Sequence, residues 1–448
     1  MKVRRSRLLI ILGSLAYVLL LQWIYPNVIA PIYSDVGMIY TRLHTWEYIL
    51  QTVLGIIPAF WMPAEMKKPS QYQWWLLYLT VIVPTCILPY HVTLLPHDMI
   101  TFYVFLIIVC FAFMCRISYL PPLKLPLLRI SRFYFVLAVV GFTAATYGIL
   151  IAYLGVRTMI PGFAEVSGLR QEFKSIGLPG AVIYLYWWQG TVVNPLITTL
   201  GLVNRKILLV ILGTLLQFEL FALTSLRGFG VSAMLLLGMG VLILRTRRQM
   251  GVAFLYALFG ATAVMVIWHA ISPSAFGPLL FLKRWILNAG QLSGYYLEFF
   301  TNHVPAHLQH SSSLLEWLFP GPYDLPKGQV IGRAYFLRFP TGDYTNATAH
   351  IWADSYASFG YFGVVWASAV AAFIMWIVDS AFRHTDRRIA LMLMCVVALA
   401  YAGQGVHTSL LTGGIVPMVC VGLTSPFGSL QKLKFNDLPD ENGEKWEL

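Results

Sequence analysis

The chain has 448 residues and a net charge of +12; 58% of its residues are hydrophobic and only 11% are charged. Soluble domains carry about 25% charged residues, so this composition excludes a large soluble core and defines a polytopic membrane protein. In such a chain a basic balance reports orientation and not nucleic-acid binding.

Apolar runs of about 20 residues recur along the whole length. In chain order they predict spans at roughly 8–25, 46–62, 74–94, 99–115, 133–155, 181–203, 207–226, 228–244, 251–272, 356–378, 389–408 and 410–424. The first run, LLIILGSLAYVLLLQWIY, is too long for a signal-peptide core, and no small-residue cleavage site follows, so it reads as a retained span. The final run is short and holds Gly413, Gly414 and Pro417. All five cysteines (Cys86, Cys110, Cys115, Cys395 and Cys420) fall inside apolar runs. Their spacing fits neither a disulfide framework nor a metal site, so they read as small packing residues. The expected fold is all-α, with about 12 transmembrane helices. Residues 1–272 hold the first nine spans, 273–355 a large outer loop, 356–424 the last three spans and 425–448 a polar, disordered tail.

Lysine and arginine set the expected orientation. One set of connections carries Lys2, Arg4, Arg5 and Arg7; Lys67 and Lys68; Arg116, Lys124, Arg129 and Arg132; Arg205 and Lys206; Arg245, Arg247 and Arg248; Arg383, Arg387 and Arg388; and Lys432, Lys434 and Lys445. These are 21 of the 31 basic residues. The positive-inside rule makes that side cytoplasmic, with both termini inside. The remaining ten are Arg42, Arg157, Arg170, Lys174, Arg227, Lys283, Arg284, Lys327, Arg333 and Arg338. Nine of these gather in three outer connections: 156–180, the turn at 227, and 273–355.

Each outer connection offers a candidate with two readings. Arg227, in SLRGFG, is expected in a tight hairpin that Gly228 and Gly230 permit. It either caps a helix and snorkels to the interface, or it binds an anion such as phosphate through its planar fork. Glu219, eight residues earlier, should be buried and need a partner. Arg170 and Lys174, one helical turn apart, suit either lipid headgroups or the same anion.

The run KRWILNAGQLSGYYLEFF places Trp285, Ala289, Leu292, Tyr296 and Phe299 on one apolar stripe. A parallel polar stripe carries Arg284, Asn288, Gln291, Tyr295 and Glu298. This predicts an amphipathic helix lying at the interface, its polar face open to a sugar phosphate.

Further on, Arg333 and Arg338 precede His350 and Asp354, which stand four residues apart just before a span. A carboxylate that orients a histidine is a general-base arrangement, and the competing reading is a helix cap beside an interfacial histidine. The pair lacks the ligands for a metal. His407 and Gln404 lie at the outer end of another span and could join the same cavity or simply pack. Asn346-Ala347-Thr348 fits a glycosylation sequon, a weak signal.

TNATAHIWADSYASFGYFGVV resembles the segment of bacterial oligosaccharide repeat-unit polymerases (the Wzy-type O-antigen and capsule polymerases) that leads from the large periplasmic loop into the next span. Tyr356, Phe359, Gly360 and Gly363 match its Y-x-x-F-G-x-x-G pattern, and Arg227 in TSLRGFG resembles that family's arginine between two spans.

The resemblance implies a GT-C-like glycosyltransferase in the bacterial inner membrane. Its donor and acceptor would be undecaprenyl-diphosphate-linked glycans, and it would need no metal or other cofactor. A chain-length regulator protein is the implied partner. Arg170, Arg227, Arg284, Arg333 and Arg338 would hold the diphosphate, while His350, supported by Asp354, would activate the acceptor hydroxyl. The related ligase and a polyprenyl-linked glycan flippase are the alternatives.

Overall fold

The computed structural model describes residues 2–128, 130–155, 173, 176–246, 249–308, 317–336 and 346–427, and every regular element among them is a helix. In chain order these are α1 (Arg5–Tyr33), α2 (Thr45–Ile56), α3 (Pro69–Val92), α4 (His97–Ile117), α5 (Arg132–Leu154), α6 (Gly180–Trp188) and α7 (Asn194–Val203). There follow α8 (Ile207–Thr224), α9 (Arg227–Arg245), α10 (Met250–Ile271), α11 (Asn288–Asn302), α12 (Lys327–Tyr335) and α13 (Ile351–Ala381). The last four are α14 (Arg387–Val397), α15 (Leu399–Gly403), α16 (Val406–Leu411) and α17 (Ile415–Thr424).

Nine helices among the described residues are long and apolar enough to cross a membrane: α1, α3, α4, α5, α8, α9, α10, α13, and α16 with α17 taken together. The other three expected spans are helical but interrupted. After 12 residues α2 passes into a 3-10 turn, Ile57–Phe60, where Pro58 cannot donate to the helical ladder. A π-turn, Gln189–Val193, separates α6 from α7. The run 389–408 is broken between α15 and α16, at Gln404 and Gly405.

Burial sorts these helices. The most apolar window of α3 is 94% buried, whereas that of α5 is only 22% buried. A helix that is apolar all round belongs in the centre of a bundle or against lipid, and here the two fates fall to α3 and α5. The main core draws on α1, α3, α4, α10, α11, α13 and α14. A second cluster forms around Tyr147, Leu150, Tyr186, Leu220 and Phe229 of α5, α6, α8 and α9. Where α7 meets α8, a Cβ at Gly213 would fall 2.3 Å from Thr198 Oγ1, the close approach that small residues permit inside membranes.

At the end where the chain begins, basic side chains donate to backbone carbonyls in the segments that follow neighbouring helices. Arg7 donates to Met62 O at 2.9 Å, Lys68 Nζ to Ser118 O at 2.6 Å and Arg383 to Leu123 O at 2.6 Å. The buried carboxylate of Asp379 takes Ser70 N at 2.9 Å and Ser70 Oγ at 2.6 Å.

The opposite, or far, end differs from expectation in two places. The α8–α9 turn is made by Ser225, in the left-handed region at φ 53°, while Gly228 and Gly230 are already helical. Second, α11 is not a surface helix. It packs against the far-end half of α3 and against α13, with Gln291 and Tyr295 of its polar stripe buried. Those groups are spent internally. Tyr295 OH donates to Gly37 O, and Glu298 accepts from Leu94 N at 2.8 Å and Tyr335 OH at 2.9 Å. A sugar therefore does not find an open polar stripe there. Gly290 lets α11 seat on Pro84, whose carbonyl a Cβ would meet at 2.4 Å.

The Y-x-x-F-G-x-x-G pattern lies on a break in α13. Phe359 (φ −145°, ψ 23°) and Gly360 (φ 60°, ψ −144°) leave the helical region. The break separates a short far-end helix, which carries Asp354, from the long membrane-crossing part. Only glycine populates that region freely. Gly360→Ala is expected to cost about 1–3 kcal/mol, seen as a lower unfolding midpoint in detergent; an unchanged midpoint would contradict the strained geometry.

Candidate functional site

Two stretches meet at the far end. One is the short helical start of α13, from Ile351, with His350 as its N-cap. The other is the interruption at Gln404 and Gly405 between α15 and α16. The N-terminus of α12 supplies Lys327 between them, after Pro326 has fixed the helix start.

Asp354 is the centre of this group. Its Oδ2 accepts from Lys327 Nζ at 2.8 Å, and the same ammonium donates to Ser358 Oγ at 3.0 Å and Asp354 O at 3.3 Å. Lys327 is 8% exposed and Asp354 20% exposed, so the lysine is the more deeply buried member of the pair. Gly405 abuts that carboxylate: a Cβ there would lie 2.2 Å from Oδ2. His407 stands within electrostatic reach of both charges. Gln404 Oε1 is buried with no hydrogen-bond donor among the described residues.

The structure separates His350 from Asp354. The imidazole is fully buried, with Nδ1 accepting from Ala353 N at 3.5 Å and Nε2 2.5 Å from Ser293 Oγ. Since Nδ1 accepts, Nε2 carries the proton and donates to Ser293, whose hydroxyl in turn faces Thr85 Oγ1 at 3.0 Å. Both nitrogens are thus engaged away from solvent, and Asp354 is turned to Lys327. The expected arrangement of Asp354 orienting a His350 base is corrected: His350 is a helix cap and a buried polar link between α11 and α13. Burial pushes its pKa down to about 3. The unfolded chain would bind a proton there below about pH 6.5 that the folded chain refuses until about 3, so this group removes stability as pH falls through that window.

Asparagine also caps helices well. His350→Asn is therefore expected to keep function, while His350→Leu, which removes the cap and the partner of Ser293, should cost about 1–3 kcal/mol. Loss of function in His350→Asn at an unchanged unfolding midpoint would restore a chemical role.

Of the expected diphosphate ligands, Arg227 is half-buried as the first residue of α9, where the helix dipole offers a cation nothing. Arg284 is exposed in the π-turn Phe281–Leu287, and Arg333 is exposed in the last turn of α12. These three stand on separate elements. Arg170 and Arg338 lie outside the described residues, as does Lys174. Glu219 is half-buried on α8. Sequence reasoning missed Lys327, which was counted only as one of the unusual outer cations. Its position directly after a proline at a helix start was the available signal.

Compared with family models, curated proteins and solved structures, the chain matches none of them.

Proposed function

We propose that this chain is a membrane glycosyltransferase that polymerises polyprenyl-diphosphate-linked oligosaccharide repeat units at the far end, which faces away from the bacterial cytoplasm. The observation that carries this reading is the Asp354 carboxylate. It is held on one side by a buried lysine, it touches a glycine at a helix break, and its side chain keeps 20% of its surface exposed.

In this reading Asp354 replaces His350 as the base. The acceptor sugar hydroxyl gives its proton to Asp354 Oδ1 or Oδ2 as its oxygen attacks the anomeric carbon of the donor. The bond from that carbon to the phosphate oxygen breaks, and the diphosphate leaves with the electron pair. Arginines Arg227, Arg284 and Arg333, with Arg170 and Arg338, would meet the departing charge through bidentate contacts. Lys327 fixes the rotamer of the carboxylate, and Gln404 Oε1 offers an acceptor to a glycan hydroxyl.

The test is transfer by purified protein in liposomes given one lipid-linked repeat unit. A ladder of longer glycans supports polymerisation, and glycan moved to a lipid A core acceptor supports the ligase instead. A flippase is favoured by a different observation: helices interrupted at Gln189–Val193 and at Gln404–Gly405 line the interior, as in transporters. Movement of the intact substrate across the liposome, with no ladder, would decide for it.

Orientation has its own measurement. Leu94 is 97% exposed at the far end and Tyr119 is 67% exposed at the opposite end. A membrane-impermeant thiol reagent applied to whole cells is expected to label Leu94→Cys and spare Tyr119→Cys. The reverse pattern would invert the topology.

A further inference from the structure

The contacts that orient Asp354 also cover it. Lys327 Nζ lies 2.8 Å from Oδ2. Gly405 stands beside the same carboxylate, where a Cβ would fall 2.2 Å from Oδ2 and 3.3 Å from Oδ1. A sugar hydroxyl has to come within about 3 Å of a carboxylate oxygen to give it a proton. With the side chain only 20% exposed, a sugar ring reaches that distance once one of these two neighbours moves. Gly405 is firmly placed, between α15 and α16 and beside the buried Tyr401 and Val406. Lys327 belongs to α12, a helix of nine residues.

The two ends of α12 are held in different ways. At Tyr335 the hold is largely aromatic. Its ring stacks on Tyr295 of α11, with centroids 4.3 Å apart and planes 8° from parallel, and Phe336 sets its edge on the same tyrosine at 5.8 Å. The Tyr335 hydroxyl donates to Glu298 Oε2 at 2.9 Å. At Lys327 the hold is polar. The ammonium donates to Asp354 Oδ2 and to Ser358 Oγ, and Ala347 N donates to Gly328 O at 2.8 Å. Between the ends, Ile331 is the apolar side chain that α12 buries.

This asymmetry sets which end moves. Water cannot stand in for a stacked aromatic pair. The polar contacts at Lys327 can be passed to water or to the hydroxyls of a substrate, because one hydrogen bond then replaces another. The helix is built to lift at Lys327 and to turn about Tyr335.

We propose that α12 is a lid over Asp354, closed in this structure, with Lys327 as its clasp and the Tyr335–Tyr295 stack as its hinge. An acceptor hydroxyl that donates to Asp354 takes the place of the Lys327 ammonium, so acceptor binding and lid opening are one event. The role of the lid rests on the reading of Asp354 as the base; the opening of α12 does not, and the two are measured separately.

A disulfide between Gly328→Cys and Thr348→Cys closes the lid covalently. A Cβ at Gly328 would fall 3.2 Å from Thr348 Cγ2, and the atom it would crowd, Asn346 Oδ1 at 2.3 Å, ends an exposed side chain that is free to turn aside. That spacing suits the bond, which wants Cβ atoms about 3.5–4.5 Å apart. With the bond formed, repeat-unit transfer by the purified full chain in liposomes is expected to fall about ten-fold or more and to return in reductant, as for a lid that gates turnover. Each single variant should be indifferent to reductant. Wild-type transfer with the bond intact would overturn the lid. Hydrogen exchange of the unmodified chain in detergent gives the second reading. The amides of 331–335 should exchange markedly faster than those of α11, because a locally opening element exchanges ahead of the core. Equal protection of the two helices would overturn the lid as well. If the unmodified chain makes no ladder, or Asp354→Asn makes a normal one, the glycosyltransferase reading fails, and exchange alone decides whether α12 opens.

Discussion

Asp354→Asn is expected to cut repeat-unit transfer by about 10²–10⁴-fold, the usual contribution of a positioned base, while the protein still inserts and accumulates. Asparagine keeps the shape and a carbonyl oxygen for Lys327 Nζ, which now sits 2.8 Å from Oδ2. It cannot take a proton from an acceptor hydroxyl. Lys327→Met is a different lesion, because it leaves a partly buried carboxylate without its cation, and losing one member of a buried pair costs about 3–5 kcal/mol at full burial. Asp354 is 20% exposed, so the lower part of that range or less applies. Adding Asp354→Asn to Lys327→Met should recover stability but not transfer. Glycan ladders from membranes holding equal amounts of each variant read the chemistry, and unfolding midpoints read the structure. A ladder of normal length from Asp354→Asn would remove the base and with it the observation on which the glycosyltransferase reading rests.

Asp379→Leu should be the most destabilising single change among those considered, by about 3–5 kcal/mol. Asp379 Oδ1 and Oδ2 accept Ser70 N and Ser70 Oγ at the first turn of α3. Ser70 Oγ also meets Ser118 Oγ at 2.8 Å, and that oxygen accepts Trp74 Nε1 at 2.6 Å. One carboxylate from α13 thus caps α3 and ties in the residue that follows α4. Leucine would leave a helix-start N–H and a hydroxyl unsatisfied in a buried place. Asp379→Asn keeps one acceptor and should lie between the two. Protein accumulation in membranes and the midpoint in detergent are the readouts; a wild-type midpoint in Asp379→Leu would mean that water reaches this site.

Much of the architecture could be read from residue order. Apolar runs marked the helices because an unpaired backbone group in hydrocarbon is too costly for any other element. The interruptions were less legible. Pro195 and Gly405 were visible as residues, but whether a proline kinks, breaks or merely indents a helix depends on which neighbour takes the freed carbonyl. For Gly190 that neighbour is Gln217, 27 positions away. The amphipathic pattern of 284–299 was real, yet its polar stripe was misassigned to the surface. Polar residues in a helical stripe look alike whether they meet water or the carbonyl of Gly37, and only packing against α3 distinguishes the two.

The candidate site shows the same limit. Asp354 was singled out as a residue of interest, but the partner it meets was not, because spacing of four along a helix gives proximity and says nothing of competitors. Lys327 competes for the carboxylate across 27 residues of chain, and Ser293 competes for the imidazole across 57.

By itself the sequence determined that this is a helical membrane protein and which connections gather the basic residues, since hydrophobicity and charge are properties of residues taken one at a time. The tertiary structure alone decided that α11 is buried, that His350 is a cap, that Asp354 belongs to Lys327, and that Gln217 of α8 donates to the Gly190 carbonyl. Each of these depends on which hydrogen-bonding group, among several of equal chemistry, arrives at 3 Å, and that is settled by the packing of distant helices.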